Sequence, residues 1–276
     1  MDWIQVIVLS LIQGLTEFLP ISSSAHLVLP AQLTDWPDQG LAFDVAVHFG
    51  TLIAVIAYFR HDLLAMLTSV GRFPKLIAAV GWSETFGQAA TYDAHLDLVC
   101  KLAVATLPVV IVGFAGKDFI ESSLRTLPVI ATTTMLFGAA LWIADQRAGT
   151  RSTVTWADAI WIGAAQTLAL IPGTSRSGIT ITMALLIGLS RVAGARFSFL
   201  LAIPTIAGAQ LLLTVDLIKT DSPVAVAPIA AGALVAFISA YLSIHFFIRL
   251  LDRFGMTPYV VYRLLLGATL FWIVAQ

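Results

Sequence analysis

Apolar positions run in blocks long enough to cross a bilayer core, which takes about 20 residues of helix. Six such blocks lie at about 41–59, 97–116, 126–145, 197–218, 224–248 and 258–275. Two further apolar stretches are interrupted. Residues 3–29 are broken at Pro20 and a run of serines, and residues 157–190 at Pro172-Gly173 and a Ser/Arg cluster. Proline removes a backbone donor and clashes with the preceding turn. Each interrupted stretch is therefore expected to be a helix, a loop and a second short helix. The connection over 60–96 is long and mixed, with Gly71, Pro74, Gly81 and Gly87, and reads as short interfacial helices. The predicted fold is an all-α polytopic membrane protein in a single membrane domain, residues 1–276. It has six transmembrane helices and two re-entrant helix-loop-helix segments.

Basic residues orient this pattern. Arg60, Arg72 and Lys75 lie in the 60–96 connection, with Lys101 at its far edge, and Arg147 and Arg151 lie in 146–156. Arg191 and Arg196 follow the second broken stretch, and Arg249 and Arg253 follow the span ending near 248. Only Lys117, Arg125 and Lys219 fall in the other connections. The positive-inside rule places the first group in the cytoplasm. Parity then holds if both broken stretches enter and leave on one side, the first from outside and the second from inside. Two halves emerge, about 1–145 and about 157–276. Each is a re-entrant pair followed by three spans, and the second is upside down. The spacing Gln13…Pro20-x-Ser22-Ser23 echoes Gln166…Pro172-x-Thr174-Ser175. Inverted repeats of this kind bring two broken segments together near the midplane.

Composition agrees with a membrane setting. The chain of 276 residues is 59% hydrophobic and 11% charged, where soluble domains run near a quarter charged. A net charge of -1 leaves no basic footprint for nucleic acid. The single cysteine, Cys100, excludes an intrachain disulfide and reads as a small buried hydrophobe. No Lys or Arg precedes the apolar residues 3–12, so they are expected to stay as a first helix rather than serve as a signal peptide. The seven tryptophans, Trp82 among them, read as interfacial anchors.

The polar chemistry gathers at the two interruptions. In the second, Gly173 and Gly178 free the backbone, and Thr174, Ser175 and Ser177 offer hydroxyls. A helix starting near residue 179 would aim its positive end at them, a ready anion site. Arg176 adds a planar fork suited to phosphate, and an arginine at membrane depth is a functional candidate. The plainer alternative is that Arg176 pairs with Glu17 and only positions helices. In the first interruption Gln13 and Glu17 share a helix face. Ser22, Ser23 and Ser24 follow the proline, and His26 sits in the next turn. Glu17 could hold a divalent metal or act as base. His26 could be nucleophile or general acid. Ser23 could be nucleophile or a hydrogen-bond donor.

Other polar residues have weaker claims. Asp44 and His48, one turn apart, either reach the site or pair with each other. Thr51 and Thr205 read as helix-packing residues. Arg263, inside the last span, either snorkels to the cytoplasmic interface or supports an anion. Asp158 and Asp216, near span ends, are expected to be solvated. His61, His95, Asp62, Glu84 and Asp93 read as a solvated surface rather than a metal site.

At these residues the chain resembles the bacterial undecaprenyl-diphosphatase family, the bacitracin-resistance proteins. That family carries an (E/Q)-G-x-T-E-F-L-P-x-S-S-(S/T)-(A/G)-H segment, here Gln13 to His26, and a P-G-x-S-R-S-x-x-T segment, here Pro172 to Thr180. The Phe197–Leu201 run and the Tyr262-Arg263 pair are similar too, and the resemblance spans essentially the whole chain. It implies a multi-pass enzyme of the bacterial inner membrane. Such an enzyme removes the terminal phosphate of undecaprenyl diphosphate and returns the monophosphate carrier to peptidoglycan synthesis. It also implies a divalent cation, magnesium or calcium, and resistance to bacitracin. Glu17, His26, Ser23 and Arg176 inherit the central roles. Ser22, Ser24, Gly173, Thr174, Ser175, Ser177 and Thr180 are the expected phosphate ligands, and Glu17 with Gln13 the expected metal corner. Gln13 stands where some members carry Glu, and His48 where some carry Gln. Water, His26 and Ser23 all stay open as nucleophile. The charge asymmetry points to a site reached from the periplasmic side. A homodimer is compatible with the sequence. The rival reading is a secondary transporter or flippase for a phosphorylated polyprenyl lipid, since inverted repeats with broken helices are transporter architecture.

Overall fold

The computed structural model describes residues 1–34, 36–81, 93–219 and 226–275. Trp82, Glu84 and Gly87 lie outside the described residues. The helices are α1 (Trp3–Thr16), α2 (Ser23–Leu33), α3 (Leu41–Tyr58), α4 (Arg60–Val80), α5 (Ala94–Ala115) and α6 (Lys117–Ser123). They continue with α7 (Leu127–Gln146), α8 (Trp156–Gln166), a 3-10 turn (Thr167–Leu170), α9 (Arg176–Leu186), α10 (Arg191–Lys219), α11 (Val226–Phe254) and α12 (Thr257–Val274). Six of them, α3, α5, α7, α10, α11 and α12, are long and apolar enough to cross a membrane, and they coincide with the six apolar blocks. Their outer faces are as greasy as a core: Phe114 is 77% exposed and Ile218 76%. Only lipid makes such a surface cheap.

The 60–96 connection differs from its expectation. It holds one continuous helix of 21 residues over 60–80, and Pro74 is accommodated within it. Its polar residues are partly engaged: Asp62 pairs with Arg196, and Asp93 caps α5 while accepting from Ser69. Cys100 is partly buried rather than enclosed.

The helices pack in a crossed pattern. α1 lies on α11 and α8 on α5; α3 lies on α11 and α10 on α5; α7 pairs with α12 and α3 with α10. Glycine sets the closest approach. A Cβ on Gly50 would stand 2.2 Å from the Ala233 carbonyl oxygen, and one on Gly14 would stand 1.9 Å from Ser239 Oγ. Small residues of this kind let membrane helices touch backbone to backbone.

Ion pairs close the two ends. At one end Arg191 Nε meets Asp145 at 2.6 Å, Arg196 meets Asp62, and Arg151 meets Asp158 while donating to the Ile187 carbonyl at 2.8 Å. The hydrogen bond from Arg151 to Asp158 holds its guanidinium above the ordinary value. Asp158 is therefore buried at 6% exposure and paired, not solvated as expected, because it also completes the capping box of α8. Arg151 thus ties the start of α8 to the end of α9. At the other end Lys117 meets Asp216 at 2.7 Å, and Gln5 at the start of α1 donates to the Pro37 carbonyl, beyond α2, at 2.8 Å.

Both interrupted stretches break as the prolines require. α1 ends at Thr16 and α2 begins at Ser23; the 3-10 turn after α8 ends at Leu170 and α9 begins at Arg176. Each second helix starts from a serine at positive φ, Ser22 at 74° and Ser175 at 71°. An L-residue there is strained by about 1–3 kcal/mol. Each of these serines meets the hydroxyl two residues on at 3.2 Å, Ser22 with Ser24 and Ser175 with Ser177. The same sequence distance separates Gln13 from Ser22 and Gln166 from Ser175. The shared register therefore runs from glutamine to capping serine, and the prolines lie one position out of it.

What holds the two loops is Arg263, from α12. It is fully buried, and each of its five N–H donors meets a backbone carbonyl. Nη1 reaches Pro20 at 3.1 Å and Thr174 at 2.9 Å; Nη2 reaches Gly173 at 3.0 Å and Thr133 at 3.4 Å; Nε reaches Thr134 at 3.0 Å. Arg263 neither snorkels nor faces an anion, because every donor is spent on loop and helix backbone. A Cβ on Gly178 would meet Nη1 at 2.9 Å, so the start of α9 has no room for a side chain there.

Removing this clamp leaves buried carbonyls with no donor. Arg263→Met is expected to cost on the order of 3 kcal/mol or more. Arg263→Lys, a point charge with three donors, should fall between. Thermal unfolding in detergent checks both, and a midpoint equal to wild type for Arg263→Met would contradict the clamp.

Candidate active site

The two loops meet at Glu17. Its Oε2 accepts from Gln13 Nε2 at 2.9 Å and from Ser23 Oγ at 2.8 Å. Its Oε1 accepts from Arg176 Nη2 at 3.3 Å. His48 Nε2 stands 4.0 Å from Oε2. The carboxylate is 9% exposed and the guanidinium 12%, so the pair works in low dielectric and is screened little. Arg176 is further fixed by donating to the Ser198 carbonyl at 3.2 Å, and it lies over the Phe18 ring at 5.7 Å. The segments expected to meet do meet, and the ion pair offered as the plainer reading of Arg176 is present.

This group forms one wall of a cavity of about 260 Å³. Glu17, Ser22, Ser23, Ser24, Ser175, Arg176 and His48 line it, with Thr205 and Gln210 from α10. The facing wall is apolar: Val109 of α5, Ala169 and Leu170 of the 3-10 turn, and Ile206, Ala209 and Leu213 of α10.

The remaining candidates sit behind this wall. Ser177 is fully buried and donates to the Leu19 carbonyl at 2.9 Å, pinning the second loop to the first. Thr180 meets Ser198 Oγ at 2.7 Å, joining α9 to α10. Gly173 lies at φ 88°, packed against Thr133 and Ile130. Thr174 Oγ1 is buried with no partner among the described residues. Its carbonyl, like that of Gly173, feeds Arg263. His26 stands apart from the cavity lining. Its Nδ1 lies 2.7 Å from the Ser22 carbonyl and its Nε2 2.5 Å from the Tyr262 hydroxyl, with the two rings stacked at 5.5 Å. A carbonyl only accepts, so Nδ1 carries a proton, and in the neutral ring Nε2 accepts from Tyr262.

Sequence reasoning left several contributors aside. His48 does reach the site: its Nδ1 lies 2.8 Å from the Asp44 backbone carbonyl, and Asp44's carboxylate goes to Gln39 instead. Thr205 bonds Gln166 at 3.2 Å besides lining the cavity, so it is more than a packing residue. Gln210 gave no local signal, and Ser198 and Tyr262 entered only through the resemblance, because each matters through a partner from a distant stretch.

A divalent cation can be tested against these donors. Among the described residues Glu17 is the single carboxylate on the cavity wall. Gln13 gives its amide nitrogen to Glu17, and its Oε1 is buried with no partner among the described residues, away from the cavity lining. Among the described residues no three His, Cys, Asp or Glu side chains cluster as a metal cage. One carboxylate beside an anion site suits a hard cation that shares its shell with phosphate oxygens and water, not an all-protein cage.

Comparison with known proteins meets this geometry. The family model described as bacitracin resistance protein BacA matches residues 6–269. An undecaprenyl-diphosphatase of Alcanivorax borkumensis is 56% identical over 277 residues, covering 99% of this chain and 100% of that protein.

The Glu17–Arg176 contact should be measurable as coupling. In a double-mutant cycle with Glu17→Gln and Arg176→Gln, the two changes are expected to be non-additive by about 1–3 kcal/mol in detergent unfolding. Strict additivity would mean that the pair does not form.

Proposed function

The chain belongs to the BacA family of bacitracin resistance proteins, and we propose that it is a membrane phosphatase. On this reading it hydrolyses undecaprenyl diphosphate to undecaprenyl phosphate and inorganic phosphate, recycling the lipid carrier for peptidoglycan synthesis and conferring bacitracin resistance. The observation that carries the reading is one carboxylate, Glu17, joined to a hydroxyl, Ser23, and to a guanidinium, Arg176, on the wall of a half-apolar cavity. A transporter has little use for a serine hydrogen-bonded to a carboxylate beside its anion site, so the flippase reading ranks second.

The chemistry follows from these contacts. The diphosphate competes for Arg176, which turns from Glu17 to the terminal phosphate and leaves the carboxylate free to act as base. Ser23 attacks the terminal phosphorus while its proton passes to Glu17. The bond to the bridging oxygen breaks, polyprenyl phosphate leaves, and Glu17 returns the proton to it. Water then attacks the phosphoserine with Glu17 as base, Ser23 regains its proton and phosphate departs. Arg176, the Ser22, Ser24 and Ser175 hydroxyls and the positive end of α9 stabilise the equatorial oxygens. His26, Ser177, Thr180, Thr174 and Gly173 hold the loops in place on this reading. A magnesium or calcium ion carried in with the diphosphate would be held by Glu17 and phosphate oxygens, and when bound it offsets negative charge on the substrate.

We also read the chain as an inverted repeat with two re-entrant segments. The ties from Arg151 to Ile187 and from Gln5 to Pro37 support return of each segment to the end it entered. The crossed helix packing and the matched serines support the pseudo-symmetry. The cavity residues of α3, α5 and α10 lie in the halves nearer the Lys117–Asp216 end. With charge asymmetry, this favours an inner-membrane protein whose site opens to the periplasm.

Turnover, its variants and thiol labelling test this reading. Purified protein given polyprenyl diphosphate with magnesium or calcium should release phosphate, and chelation of the cation should stop it. Arg176→Ala should lose roughly a thousandfold in rate. Ser23→Ala should lose at least as much, whereas near-normal turnover would make water the direct nucleophile. A cysteine at the exposed Asp38 should react with an impermeant thiol reagent in intact spheroplasts, and protection there would reverse the topology.

A further inference from the structure

The anchors of α4 set it across the feet of two spans. In its first turn Asp62 pairs with Arg196, in the second turn of α10. Two turns on, Ser69 Oγ donates at 2.9 Å to Asp93, the residue that caps the start of α5. These anchors lie roughly 10 Å apart along α4 at 1.5 Å per residue. The starts of α5 and α10 belong to one end of the bundle. Lys101 of α5 donates to the Val154 carbonyl at 2.7 Å, and Arg151, just before it, donates to the Ile187 carbonyl ahead of α10. Consecutive residues turn about 100° round a helix, which sorts α4 into three faces. Met66 and Ser69 are buried and face the protein. Next round come Leu64, Leu67 and Val70, all exposed, Leu67 by 66%. On the third face stand Arg72 and Lys75, also exposed, and neither meets a carboxylate among the described residues.

We propose that α4 is a membrane-surface helix: its aliphatic face lies in the acyl chains at this end of the protein, and Arg72 and Lys75 hold the phosphates of anionic phospholipids. A helix with one face on protein has two others to place, and the bilayer interface supplies a medium for each, hydrocarbon below and headgroups above. Three aliphatic side chains on neighbouring turns would otherwise be an apolar patch in water. Lipid is already at hand, because α3, a span, ends at Tyr58 and α4 begins at Arg60. The charge selects the headgroup. The acidic residue of α4, Asp62, is spent on Arg196, which leaves the outward face of the helix cationic. Each basic side chain at an anionic surface strengthens binding roughly fivefold. A second copy of the chain docked here about a twofold axis would instead bring the same cations together. The helix thus fastens the feet of α5 and α10 to the headgroup layer, whatever reaction the cavity carries out.

The test reads depth from a fluorophore on the full chain in lipid nanodiscs, with Cys100→Ser leaving one labelled site at a time. Bimane on Leu67→Cys should be quenched by nitroxide-bearing acyl chains and shielded from iodide. Bimane on Thr68→Cys, the next residue and about 100° round the helix, should show the reverse. Iodide reaching both sites equally would put the helix in water and overturn the proposal. Shielding of position 67 from both quenchers would mean a protein partner and overturn it as well. In the same nanodiscs, nitroxide-labelled phosphatidylglycerol should associate with position 67 about fivefold more strongly than nitroxide-labelled phosphatidylcholine. Arg72→Gln with Lys75→Gln should remove the difference, and so should about 1 M salt on the chain that keeps both cations. No preference at low salt, or a preference that survives the double substitution, overturns the headgroup contact.

Discussion

Loop backbone cannot lie in hydrocarbon with its carbonyls bare, because no water is there to meet them. On the proposed re-entrant reading two loops lie at membrane depth, and one side chain answers for three of their carbonyls. Arg263 takes carbonyls from Pro20, Gly173 and Thr174 in the loops and from Thr133 and Thr134 in α7, one for each donor it owns. A guanidinium suits the task because its five donors point in fixed directions, and an ammonium does not. Its charge is spread over carbonyl dipoles on several sides instead of meeting a carboxylate. Together with the Ser177 hydroxyl on the Leu19 carbonyl, Arg263 fixes the distance between the loop that carries Glu17 and the loop that carries Arg176.

With the loops fixed, the site becomes a question of competition for one carboxylate. Gln13, Ser23 and Arg176 all donate to Glu17, and a buried arginine would be costly without it. That arrangement is stable but not inert. An incoming polyanion offers Arg176 a better partner than a single carboxylate, since phosphate accepts bidentate bonds from a guanidinium. On the proposed mechanism, binding then converts a structural ion pair into a base and an anion clamp. The strained φ of Ser22 and Ser175 belongs to the same economy: it turns the backbone so that Ser23 and Arg176, the next residues along, both face Glu17.

The six spans were legible because hydropathy is a property of each stretch by itself, and lipid imposes a length that no neighbour can alter. The two breaks were legible for the same local reason, proline and glycine amid apolar residues. The meeting of Glu17 and Arg176 followed from parity and charge, and the 3.3 Å contact agrees with it. What sequence could not carry is pairing across distance. Arg263 looked like a snorkelling or anion-binding residue because nothing near it in the chain announces five carbonyls. Asp158 looked solvated because its partner Arg151 also caps the end of a different helix. His26 was weighed as part of the first motif and His48 as either reaching the site or pairing with Asp44, and the structure turns the first toward Tyr262 and brings the second within 4.0 Å of Glu17. Residues 60–80 form one helix where glycine and proline suggested several, since Gly71 and Pro74 are tolerated in a helix whose other contacts hold it.

The two broken stretches contribute to the cavity differently, as their shared glutamine-to-serine register makes plain. Position by position, Leu170 stands in the second stretch where Glu17 stands in the first, and Arg176 stands where Ser23 does. All four line the same cavity. Had both stretches carried the carboxylate and serine, two like charges would face each other with no cation between them. Had both carried the leucine and arginine, there would be an anion site with no base. The first stretch supplies base and hydroxyl, and the second supplies the cation and, through Leu170, a surface for hydrocarbon. Two scaffolds that share a register, and differ at the two positions that face the cavity with opposite chemistry, thus suit a molecule that is itself half polyanion and half lipid.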